Sequence, residues 1–480
     1  DSSLDSSGSP RSSRSRSNCL VLSEKLFWGL NQGSFSMHKN KLVVIKMNKI
    51  ITSLAALAMC TTLAAQETSP KISLYGFIRN YYAFDTRESV AGTEDFFYYL
   101  PKDENMKGDV DLNEQNSLRF AAITSRIGLN VIGYEYDGFK MGAKIETDFY
   151  NGLSGVTGTA VLRLRQAYVT IGKNNWLVTA GQAWHPMAAD MPDVFSLNTG
   201  APFGPFSRTP QVKLDYNFSD ALSLTASALW QMQYTSTGPD GASANYIKYG
   251  CTPELYAGLN YKKGGLLLRA GLNMLSIKPR HTTSVDKVDE RITTFIPFFY
   301  GQYKKGLFSI KAKTVFAEAG EHVNLNGGYG ISNLQKGTCE YTPTRNSSTW
   351  VSLMYGKKTQ WILFGGYVKN FGTKDDLFPV AAHIFMKGDK VYVPASNLYF
   401  SKNSFSNMNQ MWRLTPTVIH NIGKFSIGLE YEITSVQYGD YQTFEEGNEK
   451  FKCIGINGLA EDNLHWITNN RIQALVKFTF

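Results

Sequence analysis

The sequence predicts an all-β protein, a transmembrane antiparallel β-barrel of sixteen strands with its third long loop folded inward. Three observations carry this. The segment RIQALVKFTF sets Ile472, Ala474, Val476, Phe478 and Phe480 on one face and Arg471, Gln473, Lys477 and Thr479 on the other, the two-residue period of a strand with one side in lipid. From Met47, MNKIITSLAALAMCTTLAAQ joins a positive Lys49 to a short apolar run and small residues ending near Ala65, which is the form of a cleaved export signal. Beyond it no stretch of about 20 apolar residues, the length a membrane helix needs, occurs.

The chain therefore divides into a leader over 1–46, a signal peptide over 47–65 and one barrel over 66–480. The leader, with SSGSPRSSRSRS and a second methionine at Met37, reads as disordered or as translated upstream of the true start. An RNA-binding tail is its rival. A lipoprotein site at Cys60 is disfavoured because Met59 stands where a small residue is required. The first 65 residues hold eight Lys or Arg against three Asp or Glu, so the formal charge of +9 falls to +4 from Gln66 onward. The basic balance thus comes partly from the leader, and no nucleic-acid partner is implied for the barrel.

Alternating runs follow at 71–86, 117–133, 138–151, 160–172, 176–185, 207–217, 222–235 and 251–262. They continue at 266–278, 291–304, 306–319, 348–357, 360–370, 409–421, 424–438 and 466–480. Sixteen is even, which returns both termini to the periplasmic side. Short turns such as GYEYDG, GKNN, YKKG and NIGK alternate with long segments at 87–116, 152–159, 186–206, 236–250, 279–290, 320–347, 371–408 and 439–465. Short periplasmic turns and long outer loops are the expected asymmetry.

Individual strands show two faces. In FKMGAKIETDF, Lys140, Lys144, Glu146 and Asp148 alternate with Met141, Ala143, Ile145 and Phe149. In TPQVKLDYNF, Gln211, Lys213 and Asp215 alternate with Val212, Leu214 and Tyr216, and LFSIKAKTVF sets Ser309, Lys311 and Lys313 together. A watery lumen accepts the polar rows. Arg163 and Arg165 share a face with Ala167 and Val169 by simple alternation, and would also look inward. Trp176 and Trp361 lie beside short turns, whereas Trp184, Trp230, Trp350, Trp412 and Trp466 lie near long-loop ends, as aromatic girdles require. Trp184 or Trp412 could instead line the lumen.

The third long connection, HPMAADMPDVFSLNTGAPFGPF, has prolines at 186, 192, 202 and 205 and no alternation. Proline restricts the backbone and removes ladder donors, which suits a defined excursion. Met187, Met191, Val194, Phe195, Leu197, Phe203 and Phe206 need a surface to cover. Folding the loop onto the inner wall supplies one. Asp190 and Asp193 would then face basic residues such as Arg126, Lys144, Arg163 and Arg165, and set a transverse field across a constriction. An extracellular cap is the plainer alternative.

The runs KISLYGFIRNYYAFDTR, TSRIGLNVIG, KIETDFY, LRLRQAYVTIG and AGQAWHP resemble the DcaP-like and Bacteroidetes outer-membrane porins, and the resemblance spans the chain from Gln66 onward. It implies passive diffusion of small hydrophilic or anionic solutes, a homotrimer in lipid and lipopolysaccharide, and insertion by an assembly machine that reads a terminal aromatic, for which Phe480 is the matching residue. Residues 186–206 match the constriction loop. Strand alternation and the charges of this loop make Arg126, Lys140, Lys144, Arg163, Arg165, Asp190, Asp193, Lys213, Lys311 and Lys313 the candidate pore residues. The long loops 320–347 and 371–408 depart from the pattern, and could shield or occlude the mouth.

Other functions fit less well. An occluded barrel serving as an adhesin or surface-complex component is the main rival. A hydrolase needs an activated nucleophile beside a base, and the histidines beyond the leader (185, 281, 322, 383, 420 and 465) show no such spacing. The same scatter gives no designed metal site, although Asp375, Asp376 and Asp389 could hold cations weakly. No dinucleotide fingerprint occurs, so neither a cofactor nor an enzymatic activity is expected. Cys251, Cys339 and Cys453 follow the signal; their odd number leaves one thiol free or paired between chains.

Overall fold

The computed structural model describes residues 68–150, 160–283, 285–335, 337–379, 383–401 and 403–480. The leader, the signal segment and the connection 152–159 lie outside the described residues. The barrel strands are β1 (Lys71–Asp85), β2 (Arg126–Tyr136), β3 (Phe139–Tyr150), β4 (Val161–Lys173), β5 (Trp176–Trp184), β6 (Arg208–Asn217), β7 (Leu222–Leu229) and β8 (Glu254–Lys263). Then come β9 (Leu266–Ile277), β10 (Ile292–Lys305), β11 (Phe308–Glu318), β12 (Thr338–Gly356), β13 (Thr359–Thr373), β14 (Met408–Ile422), β15 (Phe425–Asp440) and β16 (Asp462–Thr479). Each pairs antiparallel with the next. β1 pairs back onto β16, from Phe77 opposite Thr479 to Asp85 opposite Arg471. This closed antiparallel barrel of sixteen strands leaves no open edge, which membrane-spanning sheets require.

The closure is tight where the two ends meet. Gly76 and Phe480 exchange backbone hydrogen bonds at 3.3 and 3.1 Å. A Cβ on Gly76 would stand 2.3 Å from the Arg126 carbonyl oxygen and 2.7 Å from the Phe480 ring, so only glycine fits there. At the same periplasmic end, β2 and β3 join through Asp137 and Gly138, both at positive φ (49° and 72°), as a two-residue hairpin turn demands.

Alternation puts apolar side chains such as Ile78, Leu129, Ile145, Val212, Leu259 and Leu429 on the exposed outer wall, where lipid replaces water. Several details differ from the sequence-based expectation. β4 carries a bulge: Glu146 pairs with Gln166 but Thr147 with Leu164, leaving Arg165 as the extra residue. Arg165 and Gln166 are consequently both buried, whereas Val169 is 58% exposed. Strict alternation wrongly placed Ala167 and Val169 with the arginines, because a bulge reverses the parity of everything beyond it. Trp350 is buried beside Tyr300 and Phe364 instead of joining the outer girdle.

β7 stops at Leu229, earlier than the alternation suggested, while β12 begins ten residues sooner and rises above the barrel. There it pairs with Gly328–Gln335. The long outer connections also form a separate four-stranded sheet from Phe385–Lys387, Lys390–Pro394, Glu449–Gly455 and Gln442–Glu446. Its strands are short and come from two distant connections, which hides them from local patterning. Cys251, Cys339 and Cys453 are all free thiols.

Candidate functional site

Residues 185–207 fold into the lumen and lie against its wall. Met187, Phe195, Leu197, Phe203 and Phe206 join the main apolar cluster with Tyr81, Trp350 and Phe364; fully burying such a side chain contributes about 1.5–3 kcal/mol. Polar contacts fix the register. Glu430 on β15 accepts the Phe195 and Ser196 backbone N–H groups, each at 3.1 Å. Tyr81 donates to the Phe195 carbonyl at 2.9 Å. Lys313 donates to the carbonyls of Met187 and Asp190, both at 2.7 Å. A Cβ on Gly204 would meet the Trp350 indole nitrogen at 2.7 Å, so glycine lets the loop approach this closely.

A second segment enters the lumen beside it. Phe96–Leu100 of the first long connection is buried, with Tyr98 lying under the Arg413 and Arg471 guanidiniums at 4.8 and 4.7 Å. Arg413 donates to the Tyr99 carbonyl at 2.7 Å and to the Ala201 carbonyl at 2.9 Å. One β14 side chain therefore holds both loops.

The loops leave a cavity of about 900 Å³ beside β1–β6. Its lining includes Arg79, Arg126, Arg163, Arg165, Arg208 and Lys311, together with Asp190 and the rings of Phe97, Tyr99, Trp184 and Tyr234. Behind the arginines stand two carboxylates. Arg163 makes a bidentate contact to Asp148, both bonds at 2.9 Å. Arg165 bridges Glu146 at 2.8 Å and Asp148 at 2.6 Å, Arg126 lies 3.5 Å from Glu146, and Tyr75 donates to Glu146 at 2.8 Å. Bidentate pairing holds a guanidinium in a fixed plane, so these cations are presented rigidly.

Arg79 and Arg208 have no carboxylate partner among the described residues. Arg79 donates to the Thr124 hydroxyl at 2.9 Å and lies over Phe77 and Tyr81. Arg208 donates to the Gln233 side-chain carbonyl at 3.1 Å and lies over Trp184 at 4.9 Å. Its Nη1 is buried with no hydrogen-bond partner.

Of the residues read from sequence, Arg126, Arg163, Arg165, Asp190 and Lys311 come together at the cavity. Asp190 pairs with Arg269 at 3.1 Å and Asp193 with Lys311 at 2.6 Å, so the loop aspartates dock the loop on β9 and β11. Lys313 is buried beneath the loop. Lys140 is exposed at the periplasmic start of β3, Lys144 lies over the Tyr75 ring at 5.0 Å, and Lys213 pairs with Asp215 at 2.8 Å. None of these three lines the cavity. Arg79 was legible as the inward neighbour of Phe77 and Tyr81. Arg208 was hidden where the third loop rejoins the strand pattern. Trp184 lines the cavity; Trp412 sits on the exposed outer wall.

A closed sixteen-strand barrel with a lipid-facing apolar wall and a lumen narrowed by inward loops has the architecture of an outer-membrane porin. Residues 22–224 match the family model described as DcaP outer membrane protein. Among solved structures it is similar to the outer membrane channel DcaP of Acinetobacter baumannii, with 18% identity and a TM-score of 0.59, covering 87% of this chain and 100% of that one. OmpT of Vibrio cholerae aligns at 11% identity and a TM-score of 0.47, over 87% and 99% of the two chains. An anion-selective porin from Comamonas acidovorans aligns at 10% identity and a TM-score of 0.47, over 86% and 100%. A search of curated protein sequences returned no match.

Proposed function

We propose that the barrel passes small hydrophilic solutes with a modest preference for anions, selected at the cavity between the inward loops and β1–β6. The observation that carries this is the excess of fixed cations there. Glu146 and Asp148 offset part of the charge of Arg126, Arg163 and Arg165, whereas Arg79 and Arg208 line the cavity with no carboxylate partner among the described residues. Unbalanced positive charge in a narrow aqueous passage with low-dielectric walls raises the local anion concentration. The pairing of the other cations keeps the preference modest.

The assembly is proposed as a homotrimer in lipid and lipopolysaccharide. A hollow of about 410 Å³ on the outer wall of β1–β5, lined by Ala143, Ala167 and Ala180 together with Ile72, Leu129 and Ile145, supports close approach of a second barrel. Phe480 is proposed as the signal read by the assembly machinery. Residues 1–46 and 47–65 are proposed as leader and cleaved signal, so sequencing the purified protein should start near Gln66.

Planar-bilayer recording of that protein under a salt gradient tests the reading. Discrete conductance steps, grouped in threes and with an anion-selective reversal potential, are expected. A cation-selective potential overturns the selectivity. Folded protein without conductance favours an occluded barrel that acts through its outer sheets.

A further inference from the structure

His185, the first residue of the constriction loop, is buried at the loop's base. Its backbone N–H donates to the Ser207 carbonyl at 3.0 Å, closing the loop's two ends on each other. Its Nδ1 accepts the Met187 backbone N–H at 3.2 Å, so the proton of the neutral ring resides on Nε2. That nitrogen donates to Glu254 Oε1 at 2.9 Å. His322, from the short helical turn Glu321–Val323 after β11, reaches the same oxygen through Nε2 at 3.1 Å. Asn273 on β9 donates to it at 2.8 Å. The same turn also holds the loop's far end, where the Phe206 N–H donates to the Val323 carbonyl at 2.8 Å.

Both ends of the constriction loop are thus tied to one buried carboxylate. His185, Glu254 and His322 are each about 1–2% exposed. His322 Nδ1 and Glu321 Oε2 are buried without hydrogen-bond partners. The porin reading makes no use of this cluster.

We propose that Glu254 is the positioning residue of the constriction loop, holding its base through His185 and His322, and that protonation of His322 sets how firmly it holds. The inference rests on the reading of 185–207 as the element that narrows a conducting pore. The ionisable groups facing His322 are Glu254 from β8 and its own neighbour Glu321, with His185 across the shared carboxylate. Tyr329 faces Glu321 from the hairpin strand Gly328–Gln335, and Tyr246 faces Tyr329 from the helix Asn245–Gly250. The phenols, with ordinary pKa about 10, stay neutral through the physiological range.

Burial works against a charged His322 ring, but the Glu254 and Glu321 carboxyls outweigh it and hold its proton affinity above the ordinary imidazole value. Burial pushes the Glu321 carboxyl up as well. The sign follows from linkage. A folded-state pKa raised above the unfolded one, about 6.5 for imidazole, gives stability fully present below that value and lost as pH rises through the folded one. Below the ordinary imidazole value the latch is a buried His322 cation against the Glu254 carboxylate. At alkaline pH the carboxylate loses its counter-charge and the base of the loop loosens.

Two measurements on the refolded full-length barrel test this from about pH 5.5 to about pH 9, either side of the ordinary imidazole range. Single-channel recording should show conductance and open-channel noise rising with pH. Hydrogen exchange of peptides covering 185–207, corrected for intrinsic rates, should show protection falling over the same range. In His322→Gln the amide can still donate to Glu254, so the loop should stay docked while both pH dependences disappear. Glu254→Gln should lower protection at every pH. His420→Gln, a substitution at the periplasmic end where the ring meets Thr359 at 2.9 Å, should keep the wild-type profile. A wild-type profile retained by His322→Gln, or a pH-independent wild type, overturns the latch. Absence of conductance overturns the porin reading instead, and the exchange experiment still decides the latch.

Discussion

Two walls of the lumen carry arginines against carboxylates, and the two do different work. On β2–β4, Arg126, Arg163 and Arg165 rest on Glu146 and Asp148 and line the cavity, Arg126 and Arg163 partly exposed to it. On β1 and β14–β16, Arg413 and Arg471 meet Asp85 and Glu432 beneath the two inward loops, and all four side chains are buried. The second wall spends its hydrogen bonds on loop backbone: the carbonyls of Asp95, Tyr99 and Ala201 accept from its arginines. What covers a charge decides whether it selects a solute or holds a loop.

The sharpest way to break the comparison is to remove a sealed charge. Arg413→Ala leaves Glu432 buried without its cation and frees the carbonyls of Tyr99 and Ala201. Losing one partner of such a pair costs about 3–5 kcal/mol. Urea unfolding should show a stability loss of that size, and bilayer recording should show larger, noisier conductance as both loops detach. Arg413→Lys should not restore either value, because one ammonium cannot reproduce the planar fork that reaches Thr434, Ala201 and Tyr99 together. Full conductance with both loops still docked would mean that apolar packing alone holds them.

The two walls differed in how far the sequence disclosed them. Arg163, Arg165, Glu146 and Asp148 stand on strands whose alternation marks them as inward, and all sixteen strands were visible for the same reason. The bulge at Arg165 was not, since one added residue leaves no trace in composition. The sealed wall was opaque. Glu430, Glu432 and Arg471 read as ordinary lumen-facing residues, and nothing local shows that Phe195, Ser196 and Tyr99 will cover this side of the lumen from more than 200 positions away. The apolar run Phe96–Leu100 did carry a signal: it needs burial as much as the proline-bounded third loop does.

At the cavity the effect should fall on selectivity. Arg208 on β6 has no carboxylate partner among the described residues, so Arg208→Gln removes a full unit of charge from the cavity lining. At about 5 Å and water-like dielectric one charge is worth about 0.8 kcal/mol to a passing ion, about a fourfold change in local anion occupancy, with salt reducing it. The reversal potential should move toward cation selectivity most clearly in dilute salt, with stability changing less than in Arg413→Ala. A potential unchanged at low salt would place selection elsewhere in the lumen.

Lys140 marks where the open wall stops acting. It belongs to the same inward row as Lys144, Glu146 and Asp148, and alternation alone ranks it with the pore residues. Its side chain is 77% exposed, however, and lies 4.0 Å from the equally peripheral Glu135. An exposed pair of this kind contributes about 0–1 kcal/mol, and bulk water with a screening length of about 10 Å at 0.1 M salt separates it from the constriction. Lys140→Ala should therefore leave the urea midpoint and the reversal potential at wild-type values. A shift matching that of Arg208→Gln would move the selective region to the periplasmic rim, because only a charge close to the ions' rate-limiting position can bias them through that much solvent.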